Sequence, residues 1–191
     1  GNTYNSLGQG SHTFTVRAKN GAQTTPDVVR TWIVDTVGPV VNVTGAATTG
    51  GSGSIPFSAT DNTTPVTTTC KIDNGATSSC SGSVSFSGLA SGPHTLTVAA
   101  SDGIGNVTTF PFNWTVDATA PNTTITGTPA SPTKLTGASL TLGSTESPAT
   151  FECNVDGGGY NSCASTLTLS ALGDGDHTVL ARASDQYGNV D

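Results

Sequence analysis

The sequence lacks the features that would tie it to a membrane or to a nucleic acid. It has no stretch of about 18 consecutive apolar residues, the length that a membrane-spanning helix needs. Charged residues make up only 10%, and six Lys and Arg stand against thirteen Asp and Glu, which gives a net charge of −7. Nucleic acids and anionic membrane surfaces bind clustered basic residues, so we expect neither a nucleic-acid partner nor membrane insertion. The acidity is interpreted as a solubility feature, with divalent cations as the alternative.

Methionine is absent, and no signal peptide is recognisable. Gly1 is therefore not expected to be a natural start. We interpret the chain as a mature product or as a piece of a longer protein.

Cysteine is scarce, but its four occurrences form a pattern. They read "CKIDNGATSSC" and "CNVDGGGYNSC", two copies of C-x9-C with turn residues inside each span. Zinc sites need closer ligand pairs and further Cys or His, which are missing here. The spacing predicts disulfides Cys70–Cys80 and Cys153–Cys163 across local hairpins, each contributing about 2–3 kcal/mol on the chain-entropy model. Persistent disulfides indicate an oxidising place outside the cytoplasm.

The chain repeats itself with a period of about 82 residues. Trp32 and Trp114 differ by 82, and the stretches "WIVDTVGPVVNVTG" and "WTVDATAPNTTITG" are near copies. We predict three domains: the C-terminal part of a repeat at 1–35, a complete repeat at 36–117, and a repeat lacking its last strand at 118–191. The predicted joints carry Asp35, Pro39, Asp117 and Pro121. Linkers this short predict a fairly stiff rod.

Within a repeat, short runs alternate between apolar and polar residues and end at Gly, Asn, Asp or Pro. The runs are "VVNVTG", "SIPFSAT", "VTTTCKID", "SVSFSG", "HTLTVAASD" and "VTTFPFNWTVD". Six or seven strands in about 82 residues predict an all-β fold of tandem Ig-like β-sandwich domains. We expect the large aromatic side chains to form the core: Trp32, Trp114, Phe86, Phe110, Phe112 and Phe151.

The combination "FECNVDGGGYNSC…LTLSALGDGDHTVLARASDQYGNVD…WTVDATAP" resembles the tandem bacterial Ig-like repeats of large extracellular, adhesin-type surface proteins. The resemblance covers essentially the whole chain. It implies an extracellular β-sandwich used as a stalk, spacer or adhesive module, and it implies no single ligand. The first repeat departs from the pattern, with "AKNGAQTT" where the others read "ASDGIGN" and "ASDQYGN".

The stretch Asp102-x-x-Gly-Asn106 recurs as Asp185-x-x-Gly-Asn189. One interpretation is a turn in which the Asp side chain accepts backbone N–H groups. The other is a calcium site at an interdomain joint, because Ca²⁺ takes several hard oxygen ligands. In similar tandem repeats an Asp of this loop meets an Asp of the linker, which would pair Asp102 with Asp117.

Three histidines share one position of the repeat: His12, His94 and His177. We interpret each as making a hydrogen bond beside the turn at the strand entry, because their neighbours are not metal ligands.

Sequence features of an enzyme are missing. No G-x-S-x-G motif and no phosphate-binding loop occurs. The two glutamates, Glu146 and Glu152, lie outside the repeat pattern, since the second repeat has Asp61 near the first and Thr69 at the second. We interpret both as solvated, and we predict that the protein is not an enzyme and has no cofactor except Ca²⁺ at the joints.

The predicted function is mechanical: spacing, display or fibre building by a structural segment of a bacterial cell-surface protein. The predicted partners are neighbouring repeats of the same chain and, in a filament, other copies that complete the partial repeats. The alternative is an adhesive module that recognises a glycan or a host receptor through its loops. That alternative predicts an exposed aromatic or charged cluster at one end of one repeat, and the sequence shows none.

Overall fold

The computed structural model describes residues 3–62 and 65–191, and in that part regular structure consists of β-strands alone. The short alternating runs of Thr, Val and other β-branched residues fit a pleated, half-buried surface. Within the same part of the chain, no helix has the length and hydrophobicity needed to cross a membrane.

The first strands form an open ribbon. They are β1 (Gly10–Val16), β2 (Lys19–Asn20), β3 (Gln23–Thr24) and β4 (Val28–Val34). β1 pairs antiparallel with β4, which sets His12 opposite Trp32. Trp32 is 37% exposed, so its prediction as a core residue is wrong. A two-stranded ribbon offers no second layer to cover an indole, whereas the equivalent Trp114 has one.

The middle strands form two sheets. They are β5 (Val40–Val43), β6 (Thr48–Thr49), β7 (Gly53–Thr60), β8 (Thr67–Ile72), β9 (Ser78–Ser79), β10 (Ser83–Phe86), β11 (Gly92–Ser101) and β12 (Val107–Val116). One sheet has the order β10-β7-β5 and the other β6-β12-β11-β8-β9. Pairing is antiparallel between β5 and β7 and between β8 and β11, and β6 runs parallel to β12. Strands that alternate between two sheets in this way are typical of immunoglobulin and fibronectin III sandwiches.

The alternation along β11 sets the middle core. Leu96, Val98 and Ala100 are fully buried, as their period-2 spacing predicts. The ring of Phe86 on β10 lies 5.6 Å from that of Trp114 on β12, so an aromatic pair joins the two sheets. Of the other predicted core aromatics, Phe112 and Phe151 are half-buried. Phe110 is exposed, so its prediction as a core residue is wrong, although it has the strand parity of the buried Trp114.

The last strands repeat this arrangement. They are β13 (Thr123–Thr126), β14 (Ala138–Ser144), β15 (Ala149–Val155), β16 (Asn161–Cys163), β17 (Thr166–Leu169) and β18 (Val179–Asp185). The sheets have the orders β13-β14-β17 and β16-β15-β18. Leu140, Leu142, Cys153 and Ala183 are their buried apolar residues.

Both predicted disulfides are present, Cys70–Cys80 and Cys153–Cys163, each spanning a sequence separation of 10. Cys70 lies on β8, and Cys80 directly follows its short partner strand β9. Cys153 lies on β15, and Cys163 ends its short partner strand β16. The predicted all-β fold of Ig-like sandwich modules, each stapled by a hairpin disulfide, is confirmed.

The chain groups into two compact units. One comprises Gly1–Gly45, Ile55–Val84 and Thr95–Phe112, and the other Ala46–Ser54, Ser85–His94 and Asn113–Asp191. These units follow proximity in space and not the sequence period. The repeat boundaries after residues 35 and 117 therefore stay a prediction.

The two prolines of the predicted joints are not exposed linker residues. Pro39 and Pro121 are both less than 2% exposed. Pro39 directly precedes β5, where a residue without an N–H costs the sheet no hydrogen bond and its apolar ring can pack inward. The polar part of each joint is confined to the few residues before the proline.

Candidate functional site

The loop between β11 and β12 is organised by one buried carboxylate. Asp102 is 2% exposed, and its Oδ1 accepts the backbone N–H groups of Ile104 at 2.9 Å, Gly105 at 3.1 Å and Asn106 at 3.1 Å. Gly105 has φ +121°, a conformation that L residues rarely adopt. The turn predicted for this motif is present.

The loop after β18 is built in the same way. Asp185 Oδ1 accepts the backbone N–H groups of Tyr187 at 2.9 Å and Asn189 at 2.8 Å. Gly188 has φ +85°. The two loops therefore share one geometry, as their shared sequence predicts.

Each loop also holds the segment that precedes its own repeat. The side-chain Nδ2 of Asn106 donates to Asp102 Oδ2 at 2.6 Å and to the backbone carbonyl of Asp35 at 3.2 Å. In the copy, Asn189 Nδ2 donates to Asp185 Oδ2 at 2.7 Å and to the carbonyl of Asp117 at 3.0 Å. We name this arrangement the asparagine clasp. It fixes the joint residue to a loop 71 or 72 residues later in the chain.

Three carboxylates gather at each clasp. Their ligand atoms lie within 4.8 Å of one another in two groups: Asp35, Asp61 and Asp102, and Asp117, Glu146 and Asp185. Each loop thus lies beside the joint residue before its own repeat, Asp102 beside Asp35 and Asp185 beside Asp117. The expected pairing of Asp102 with Asp117 stays a prediction.

The third member of each group was not predicted from the sequence. Glu146 was interpreted as a solvated residue outside the repeat pattern, yet it occupies the place that Asp61 has in the other group. Both residues precede a proline ahead of the cysteine strand, Pro65 and Pro148. The loop of the second repeat is two residues longer, which hides the equivalence in a fixed-period comparison.

Hydrogen bonding and charge set the acidity of these groups. Burial by itself raises the pKa of Asp102, but the hydrogen bonds from Ile104, Asn106 and Gly105 outweigh it and hold that pKa below its ordinary value. The same balance lowers the pKa of Asp185. The pKa of Glu146 is raised by burial and then by the negative charges of Asp117 and Asp185.

The donor set is suited to a hard cation, since carboxylate oxygens and backbone carbonyls are what Ca²⁺ prefers. The carboxylates of Asp102 and Asp185 are already engaged in holding their loops, so their first role is structural. Calcium at Asp102, Asn106, Asp117, Asp185 and Asn189 stays a prediction.

The histidines do what their position predicts. His12, His94 and His177 each donate from Nε2 to a backbone carbonyl four residues earlier, at 2.6, 3.0 and 3.0 Å. His177 makes a further bond of 2.8 Å from Nδ1 to Asp156 Oδ2.

No protein-family model matches the chain, and no curated protein matches its sequence. Among solved structures, fibronectin(III)-like modules of Clostridium thermocellum CbhA are similar at a TM-score of 0.40 and 15% identity, covering 79% of this chain and 88% of theirs. Escherichia coli alpha-2-macroglobulin activated by porcine elastase is similar at a TM-score of 0.30 and 10% identity, covering 95% of this chain and 24% of that one. Likenesses this distant carry no argument about function.

Proposed function

We propose that this chain is a structural stalk, spacer or fibre-forming segment of a bacterial extracellular surface protein, and that it is not an enzyme. The observation that carries the proposal is the asparagine clasp, which occurs twice with the same atoms in the same roles. Because the clasp recurs with the sequence repeat, we assign it a role in the structure of each repeat. Here it ties the backbone before each repeat to that repeat's own loop.

The clasp supports a spacer because it limits the freedom of the joint. A linker of a few polar residues is flexible when nothing holds it, and a spacer transmits position only where its joints are fixed. Asp35 and Asp117 are held by their carbonyl oxygens, and Pro39 and Pro121 are buried a few residues further on. Each joint is therefore anchored at both ends.

The chemistry of the acidic groups supports a non-catalytic role. Asp102 and Asp185 have lowered pKa values because their carboxylates accept several hydrogen bonds. A general acid or base needs a pKa near the working pH and a free path to a proton. These two carboxylates are used as acceptors that shape a loop.

The disulfides place the chain outside the cytoplasm, where an oxidising environment preserves them. Attachment to a cell surface, neighbouring repeats as partners and filament formation with other copies belong to the proposal.

Backbone ¹⁵N relaxation of the intact chain tests the proposal. We expect order parameters of about 0.85 at residues 35–38 and 117–120, the value of rigid backbone. The double variant Asn106→Ala, Asn189→Ala should lower them, and Asn74→Ala, in an exposed hairpin turn, should not. Values below about 0.6 at the joints of the unaltered chain would be those of a flexible tether and would overturn the spacer.

The rival function is an adhesive module that binds a glycan or a host receptor. It calls for an exposed aromatic or charged cluster at one end of one repeat. The third repeat carries one, formed by Glu152 on β15, Arg182 on β18 and Tyr160 in the loop directly before β16.

A further inference from the structure

The sheet β16-β15-β18 carries an aromatic and charged cluster on its outward face. Glu152 lies at the centre, opposite Arg182 on β18 and Ser162 on β16. Arg182 Nε donates to Glu152 Oε2 at 2.7 Å, and Nη2 forms an ion pair with the same oxygen at 2.7 Å. The guanidinium carbon lies 4.2 Å from the ring centroid of Tyr160. We name Glu152, Tyr160 and Arg182 the Tyr160 patch.

The Tyr160 patch is open to solvent. Tyr160 is 39% exposed, and the side chains of Arg182 and Glu152 are 38% and 41% exposed. The cation–π contact and the ion pair hold the three side chains together without covering them, so the geometry exists before any ligand arrives.

The sandwich does not need this cluster to fold. At the equivalent positions, 83 residues earlier, the second repeat has Thr69, Thr77 and Ala99. Strands β8 and β11, which carry Thr69 and Ala99, form the same kind of pair as β15 and β18. A cluster that one repeat has and its neighbour lacks is a feature of that repeat and not of the repeated fold.

The charge of the patch limits what it can bind. The guanidinium is paired with a carboxylate, so the patch has no net charge, and the chain as a whole carries −7. The electrostatic field of a neutral ion pair on a negatively charged chain does not attract an anion. A cation would compete with Arg182 for the Glu152 carboxylate. A neutral ligand fits best.

The groups left over in the patch are both donors and acceptors. Within the part of the chain that the structure describes, no protein hydrogen bond involves Arg182 Nη1, Glu152 Oε1 or the Tyr160 hydroxyl. Adjacent hydroxyl groups of a sugar each donate one bond and accept others, and the C–H face of a sugar ring packs on an aromatic side chain. Such a ligand satisfies all three groups at once.

We propose that the Tyr160 patch binds neutral carbohydrate, with vicinal hydroxyls paired to Arg182 and Glu152 and a sugar ring packed against Tyr160. The site goes beyond the spacer function and does not depend on it. An open sheet face buries little of a ligand, so binding is weak and suits many copies acting together.

Titration of the ¹⁵N-labelled intact chain with cellobiose, lactose and maltose tests the site. We expect at least one of these sugars to produce saturable amide shifts centred on residues 152, 160 and 182, with a dissociation constant of about 1 mM. The triple variant Glu152→Thr, Tyr160→Thr, Arg182→Ala installs the residues of the second repeat. It should bind at least about tenfold more weakly.

Two controls separate loss of the site from loss of the fold. Arg17→Ala removes the arginine at the equivalent position of the first repeat and should leave binding unchanged. The single variant Tyr160→Thr keeps the ion pair and should lose most of the binding while its amide spectrum stays folded. The inference is overturned if none of the three sugars shifts the patch, if the triple variant binds as well as the unaltered chain, or if a sialylated sugar or a peptide binds there and the neutral sugars do not.

Discussion

Two asparagine side chains, Asn106 and Asn189, do more than their place in a turn motif indicates. The motif predicts that Asp102 and Asp185 accept backbone N–H groups, because that geometry is local. The second bond of each Asn goes to a carbonyl 71 or 72 residues away, and no local pattern specifies it. The sequence does show that the joint residues Asp35 and Asp117 recur together with these loops.

The clasp predicts that Asn189→Asp destabilises the protein by about 1–3 kcal/mol. The substitution is close in shape, but it removes both hydrogen-bond donors and places a fourth carboxylate beside Asp117, Glu146 and Asp185. Urea unfolding followed by tryptophan fluorescence measures the change. Asn74→Asp makes the same chemical change in an exposed turn and should alter stability by less than about 0.5 kcal/mol. Equal stability of the two variants would contradict the clasp.

His177 and Asp156 predict a pH dependence. The carbonyl of Gly173 and then the Asp156 carboxylate raise the pKa of His177 above 6.5, and His177 lowers the pKa of Asp156 below 3.8. The stability that comes from the raised His177 pKa is fully present below pH 6.5. It is lost as the pH rises through the raised pKa of the folded state. The part from Asp156 is present above pH 3.8 and is lost as the pH falls through its lowered pKa.

An NMR titration of the His177 ring measures this pair. Asp156→Asn removes the charge but keeps an oxygen for the N–H of Thr178, and it should lower the pKa of His177. Asp174→Asn removes the same charge three residues before His177 and should have a smaller effect. A His177 pKa that Asp156→Asn leaves unchanged would rule out the ion pair.

The calcium prediction is tested with the carboxylates of one clasp. If Ca²⁺ binds there, the melting temperature rises between chelator and millimolar calcium, as expected for extracellular sites with dissociation constants of about 10⁻⁴–10⁻³ M. The variant Asp117→Asn, Glu146→Gln, Asp185→Asn should lose the response of that clasp. A melting temperature that does not depend on calcium would remove the ion from the account.

At the scale of elements, the sequence predicted the strands and the disulfides well, because both depend on short-range patterns. The alternation in "HTLTVAA" places Leu96, Val98 and Ala100 inside, and they are inside. Exposure of Trp32 and burial of Pro39 were not predictable in this way. Each depends on which strands lie opposite, and residue spacing along one strand does not contain that information.

Gly45 lies close to side chains of β7 and β12. A Cβ placed there would lie 2.9 Å from Ile55 Cγ2 and 2.9 Å from Phe112 Cε1, and Ile55 is fully buried. Gly45→Ala should therefore cost about 1–3 kcal/mol through overpacking. Gly173→Ala, where no atom lies within 4 Å, should be neutral or slightly stabilising in the same denaturation experiment.

At the scale of the whole molecule, repetition is the main fact. Two sandwiches share strand order, a hairpin disulfide and a clasp, so the properties of one period predict those of the next. The Tyr160 patch is an exception, because the second repeat lacks it. A binding function is therefore expected at this patch. The compact units of the chain follow other boundaries, which makes the mechanical independence of one period the point to measure.

Single-molecule pulling of the intact chain measures it most directly. If residues 36–117 are one mechanical module, they unfold in one step of about 250 Å, because the disulfide withholds the segment between Cys70 and Cys80. The variant Cys70→Ala, Cys80→Ala should lengthen that step alone by about 30 Å. One rupture that releases the whole chain, or a step that this variant leaves unchanged, would contradict the account.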